Sequence, residues 1–146
     1  MSDVRIAALT DLDGPTWHDL VRLRVDVFVV EQECAYAELD GRDAEPSTLH
    51  LWTSDDVGPT AYLRLLAEPD GVRRIGRVCT AARARGRGLS ADLVRRALAE
   101  CGSGAAIVLD AQSHLQHWYE RFGFEVSGPG FVEDGIPHVP MRRAGS

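Results

Sequence analysis

The segment Arg83-Ala84-Arg85-Gly86-Arg87-Gly88-Leu89-Ser90 lies between a strand-like run, Val72–Thr80, and an amphipathic run that opens at Gly88. Its two glycines permit backbone conformations and close approaches that a Cβ blocks. A helix that begins there offers unpaired N–H groups and the positive end of its dipole. Arg83, Arg85 and Arg87 add full positive charges. Strand, glycine turn and helix N-terminus in this order predict a site for a diphosphate.

Two well-known phosphate loops compete for this segment. A P-loop requires Gly-Lys-Ser/Thr, and the chain contains no lysine. Gly86-Arg87-Gly88-Leu89-Ser90-Ala91 does match the dinucleotide pattern Gly-x-Gly-x-x-Gly/Ala, and Asp110 falls where an NAD-type site places its ribose-binding acid. In a dinucleotide fold, however, the first glycine follows its strand almost at once, whereas Ala81–Arg85 intervene here after Thr80. The strands before the motif also read as an antiparallel meander, not as a βαβ series.

Working outward, Gly88–Cys101 is the clearest helix: Leu89, Leu93, Val94, Ala97, Leu98 and Cys101 form one apolar stripe. Gly102-Ser103-Gly104 ends it. Ala105–Leu109 is apolar on both faces and predicts a buried strand, parallel to Val72–Thr80 across the helix. Upstream, Thr48–Thr53, Thr60–Ala67 and Val72–Thr80 are three strands joined by short turns. Val4–Leu9 predicts a first strand. A helix capped by Asp13, with Pro15 in its first turn, is expected to run to about Phe28. Glu31–Ser47 reads as a long acidic connection. Downstream, Ser113 to about Phe122 predicts a short helix, and Phe124–Val126 and His138–Arg142 the last strands, joined by Ser127–Pro137. The class is α/β (α+β).

At 146 residues the chain fits one domain, 1–146. No apolar run approaches the roughly 20 residues of a membrane span, and Met1-Ser2-Asp3-Val4-Arg5 lacks signal-peptide features, so a cytoplasmic protein is expected. The net charge of −6 argues against nucleic acid as a partner. Charge is segregated: residues 1–70 carry fifteen acids against five arginines, and residues 71–100 carry eight arginines against two acids. Guanidinium groups suit a polyanion, and the acidic half suits a cationic acceptor. Cys34, Cys79 and Cys101 have no metal-ligand spacing, so no metal is expected.

The unit at 72–101 resembles the CoA-binding motif of GNAT-fold N-acetyltransferases. Ala105–Phe124, with Trp118-Tyr119-Glu120-Arg121-Phe122-Gly123-Phe124, resembles their second motif. The resemblance extends to the ElaA-like branch through Leu23–Gln32, Cys34-Ala35-Tyr36, Glu38-Leu39-Asp40-Gly41, His50, Gly76-Arg77-Val78, Gln112–Gln116 and Glu133–His138. It implies a mixed, mostly antiparallel twisted sheet whose fourth and fifth strands, Val72–Thr80 and Ala105–Asp110, splay around the pantetheine arm of acetyl-CoA. By the same resemblance, Val78, Cys79 and Thr80 line that arm and one of their amides polarises the thioester carbonyl. The amides of Arg85, Gly86, Arg87, Gly88, Leu89 and Ser90 hold the diphosphate. Gln112 stands near the cofactor where many relatives have Asn. The implied reaction is direct attack by a primary amine, on a small molecule or peptide, without a covalent enzyme intermediate. Dimers are common in the family. The alternatives are a non-catalytic acyl-CoA-binding module on the same fold and an NAD-type dinucleotide-binding protein.

A departing thiolate needs a proton, and a phenol with an ordinary pKa near 10 holds one at neutral pH. The resemblance implies that Tyr119, in the second motif, is the phenol that serves as general acid. Many relatives place a glutamate base on the fourth strand, where this chain has Arg73, Arg74 and Arg77. The candidate bases are His50, Glu31, Glu33 and His138, with His50 favoured because it lies on a strand and imidazole titrates near neutrality. Phe28, Glu31, Tyr36, His138 and the acidic loop are expected to shape the acceptor side.

Overall fold

Asp13 starts the first helix by accepting from the Thr16 N–H at 2.7 Å, with Pro15 in the first turn. The structure, a computed structural model, describes residues 3–145, so readings made on Met1, Ser2 and Ser146 lie outside it. Helix α1 (Gly14–Arg24) does not stop at Phe28. It continues as π-helical turns over Val25–Glu31, and Gln32 N–H still donates to Val27 C=O at 3.2 Å and Cys34 N–H to Val29 C=O at 3.1 Å. Branched side chains crowd an α-helix, and the wider π-turn relieves that crowding.

The strands are β1 (Arg5–Ala7), β2 (Leu49–Ser54), β3 (Pro59–Ala67), β4 (Arg73–Thr80), β5 (Ile107–Gln112), β6 (Glu125–Val126), β7 (Phe131–Glu133) and β8 (Ile136–Arg143). They form one sheet in the order β1-β2-β3-β4-β5-β8-β6, with β7 on β8. β1 to β4 are antiparallel neighbours, and this meander is what a dinucleotide fold lacks. β3 is buried on both faces. Helix α1 covers the face that carries His50 and Tyr62. Helix α2 (Leu89–Cys101) packs on β2, β3 and β4 through Leu93, Val94 and Ala97, all fully buried.

The feature that makes a site is the junction of β4 and β5. Their parallel pairing holds only Arg73 with Ile107 and Arg74 with Val108. Beyond those pairs β4 runs on to Thr80 and β5 to Gln112 without each other, so the sheet opens along its centre. β5 is repaired on its other side by β8, from Ile107–Arg143 to Gln112–His138.

Two expectations change here. The Ser127–Pro137 connection contains a strand, β7, which makes a hairpin with β8 through Asp134-Gly135. Both turn residues have positive φ, 52° and 78°, the type I′ geometry that Asp-Gly favours. The acidic Glu31–Ser47 connection is not a solvated loop throughout. Glu38 and Asp43 are buried, and Arg24, itself fully buried, donates to Glu38 Oε2 at 2.6 Å and to Asp43 Oδ1 at 2.8 Å. Arg64 adds bonds to Asp40 Oδ2 at 2.7 Å and Asp43 Oδ1 at 3.2 Å. These carboxylates are neutralised by the protein's own arginines and do not face an acceptor. Truncating Arg24 leaves two buried carboxylates short of their partner, so Arg24→Ala is expected to lower stability by about 3 kcal/mol, read from the urea midpoint.

Candidate active site

Between β4 and β5 lies a cleft of about 810 Å³, a volume usual for a small-molecule site. At one end the chain leaves β4, makes a short 3₁₀ turn at Ala82–Ala84, and enters α2. Gly86 and Gly88 hold φ of 82° and 74°, in the left-handed region, and a Cβ on either would project into open space. No side chain caps α2, so its first amides keep their hydrogen-bonding capacity toward the cleft. Thr80 Oγ1 and Ser90 Oγ bond at 2.5 Å and tie the loop back to β4. Arg85 reaches over the cleft to Glu31 at 2.8 Å and to the Thr80 carbonyl at 3.2 Å. That bond from Arg85 holds the Glu31 carboxyl below its usual range.

Midway along β4 the register slips. Tyr62 faces Cys79 and Arg64 faces Gly76, so Leu63 opposes both Arg77 and Val78. This is a β-bulge, and Arg77 has φ of 54°, a conformation a non-glycine side chain rarely adopts. Arg77 is fixed there by Glu38, through its carboxylate at 3.0 Å and its carbonyl at 3.2 Å, and its guanidinium lies 5.5 Å from the Tyr36 ring centroid. Tyr36 in turn donates to Glu38. The buried network under the former "acidic loop" therefore braces the bulge in the cleft wall. Cys79, next along, is buried, and burial pushes its thiol up to about 12.

Tyr119 comes from helix α3 (Gln116–Glu120) and reaches the cleft from the β5 side, packed against Trp118 and Phe124. It is 6% exposed, and burial raises its phenol above the ordinary value, so it keeps its proton across the physiological range. Gln112, at the end of β5, donates to Gln32 at 3.3 Å across the opening.

Most residues singled out from the sequence line this cleft, but His50 and Arg83 do not, and Arg83 donates instead to Asp55 at 2.7 Å. His50 lies in the core beneath α1, fully buried. Its Nε2 donates to the Asp43 carbonyl at 3.2 Å, which leaves Nδ1 to accept from the Tyr62 hydroxyl at 2.5 Å. Both nitrogens are occupied, and burial lowers its pKa. It is a packing residue that supports the ionic network, and the expectation that it acts as a base is withdrawn. Glu33 does not line the cleft either. Residues that the sequence reading did not select include Cys34, Arg77, Glu133 and Asp134. The Asp-Gly turn was the available signal for the last pair; nothing local marks the others.

The family model described as "Acetyltransferase (GNAT) domain" matches residues 18–144. The chain belongs to the GNAT acetyltransferase family. Its relatives include the UPF0039 protein Rv2851c from Mycobacterium tuberculosis, 49% identical over 140 residues (93% of this chain, 89% of that one). Protein ElaA from Escherichia coli is 37% identical over 141 residues (92% and 91%). Among solved structures, an acyl-CoA N-acyltransferase from Pseudomonas aeruginosa superposes with a TM-score of 0.91 at 41% identity, covering 99% of this chain and 100% of that one. The crystal structure of Escherichia coli ElaA also gives 0.91, covering 98% and 99%. As a GNAT protein the chain is assigned to acyl-CoA-dependent N-acyltransferases, and the splayed sheet and glycine loop are the family's fold. Among the described residues, no helix of this GNAT protein is long and apolar enough to cross a membrane.

Proposed function

We propose that this protein transfers an acetyl group from acetyl-CoA to a primary amine by direct attack on the thioester. The observation that carries the reading is the two-pair β4–β5 ladder, which opens a cleft with uncapped helix amides at one end and a proton-holding phenol inside. The diphosphate would lie on the amides of Arg85 to Ser90, with Arg85 and Arg87 adding charge-assisted contacts. The pantetheine arm would follow β4 past Val78, Cys79 and Thr80. A bulge leaves its extra residue out of the ladder, so an amide beside Arg77 is available to the thioester oxygen, where developing negative charge is worth stabilising.

After attack, the C–S bond breaks and sulfur takes a proton from Tyr119. A buried phenolate is costly, so this transfer is timed with bond cleavage and with return of a proton from the nitrogen that has just become an amide. Phe28, Glu31, Tyr36 and His138 line the same cleft and would shape its acceptor side.

The test pairs thermal shift with CoA release. Acetyl-CoA at about 100 times its Kd is expected to stabilise the fold by about 2.7 kcal/mol, and NAD at the same concentration to leave Tm unchanged. CoA release should rise with at least one member of an amine panel. Stabilisation without any release above the no-enzyme rate would make the protein an acyl-CoA-binding module instead, and stabilisation by NAD alone would overturn the reading.

A further inference from the structure

With His50 buried in the core and both its nitrogens bonded, the amine needs another base, and the cleft offers few groups able to accept a proton. Glu31 is held by Arg85 at 2.8 Å, and Asp110 by Arg74 at 3.3 Å. Tyr36 donates its proton to Glu38, and burial raises its phenol. Cys34 turns its sulfur to the carbonyls of Gln32 and Asp134, both at 3.4 Å. Glu133 and Asp134 stand exposed on the hairpin, and His114 exposed after β5.

His138 differs from all of these. It is half-buried on β8, directly opposite Gln112 in the register, and lines the cleft. Its Nδ1 lies 2.7 Å from the Ile136 carbonyl oxygen. A carbonyl can only accept, so Nδ1 carries the hydrogen and the neutral ring is fixed in the tautomer whose lone pair is on Nε2. No described residue bonds Nε2. The ring is also clamped in orientation by Phe131 of β7, stacked at 5.6 Å between centroids and 13° between planes. The hairpin that hid in the Ser127–Pro137 connection thus does to His138 what a supporting carboxylate does to a catalytic histidine elsewhere: it sets the tautomer and the aim.

We propose that His138 is the general base of the acyl transfer, accepting a proton on Nε2 from the acceptor ammonium, with Phe131 and the Ile136 carbonyl as its positioning groups. The proposal rests on the acyl-transfer reading above. The protons balance as follows. The ammonium gives one proton to His138, which passes it to water through the open mouth of the cleft. The freed lone pair forms the C–N bond. When the C–S bond breaks, sulfur takes the Tyr119 proton, and the nitrogen's second proton restores Tyr119. The products are an amide, the CoA thiol and one proton in solution.

The experiment measures acetyl-CoA affinity by calorimetry and amine-dependent CoA release for the wild type, His138→Ala and His138→Gln. Affinity within about twofold of wild type in both variants shows an intact fold, and turnover is expected to fall about a hundredfold, the usual worth of a positioned base. Two further readouts separate a base from a packing role. Added imidazole should restore turnover in His138→Ala, and an acceptor that is already neutral at pH 7, such as an aromatic amine, should lose only a few-fold. A His138→Ala protein that turns over an alkylamine within about threefold of wild type, or loses the same factor with both amine classes and gains nothing from imidazole, overturns the proposal while leaving acyl transfer standing. A wild type that binds acetyl-CoA yet transfers to no amine overturns the acyl-transfer reading, and the proposal with it.

Discussion

Tyr119→Phe is expected to lower turnover by about a thousandfold while leaving acetyl-CoA affinity within about twofold, because the substitution removes one oxygen and a general acid is worth 10² to 10⁴. The side chain is almost fully buried and packs edge-on to Trp118 and Phe124 at 4.8 and 6.2 Å between centroids. Phenylalanine keeps those contacts, so Tm should stay close to that of the wild type. The raised phenol pKa sharpens the expectation: nothing in the accessible pH range deprotonates Tyr119 in the resting protein, and its loss should therefore depress the rate at every pH instead of shifting a titration. Steady-state CoA release over a pH series measures this. Turnover that survives the substitution would remove Tyr119 from the mechanism.

The second large effect belongs to the glycine loop. Gly88→Trp should weaken acetyl-CoA binding by a hundredfold or more, since losing two hydrogen bonds to a charged group at about 1.5 kcal/mol each already amounts to that factor. A Cβ at Gly88 meets nothing within 4 Å, and Gly88 lines the cleft, so an indole there is expected to occupy open space beside the loop instead of colliding with the core. The backbone φ of 74° adds strain of about 1–2 kcal/mol for any side chain. Gly88→Ala carries that strain without the bulk. If filling is the cause, calorimetry will find the Trp variant far weaker than the Ala variant. Equal affinities would assign the loss to strain alone.

How much of this was legible in the sequence follows the range of the interactions. The glycine loop, the α2 stripe and the three-strand meander are local patterns, and the structure reproduces them to within a residue or two at most ends. The opening between β4 and β5 is not local. It depends on a ladder that ends after Arg74 and Val108, and only the family resemblance anticipated it. The buried network was missed for the same reason. Arg24 meets Glu38 and Asp43 at separations of 14 and 19 residues, and Arg77 meets Glu38 at 39, so no periodicity records them. What the sequence displays is an acid-rich segment, and composition does not reveal that Glu38, Asp40 and Asp43 are paired with the protein's own arginines instead of with a substrate. His50 failed differently. A strand histidine near neutrality reads as a base until both nitrogens are seen to be occupied. The β7–β8 hairpin carried a readable Asp-Gly turn, but its first strand has three residues, too few for alternation to register.

The central claim is that the amides of Arg85 to Ser90 hold the diphosphate of coenzyme A. A crystal structure of the protein with CoA tests it most directly. Diphosphate oxygens are expected within hydrogen-bonding distance of those amides, with the pantetheine arm between β4 and β5 and its sulfur toward Tyr119. CoA bound elsewhere on the surface, or no CoA in crystals grown at millimolar concentration, would contradict it.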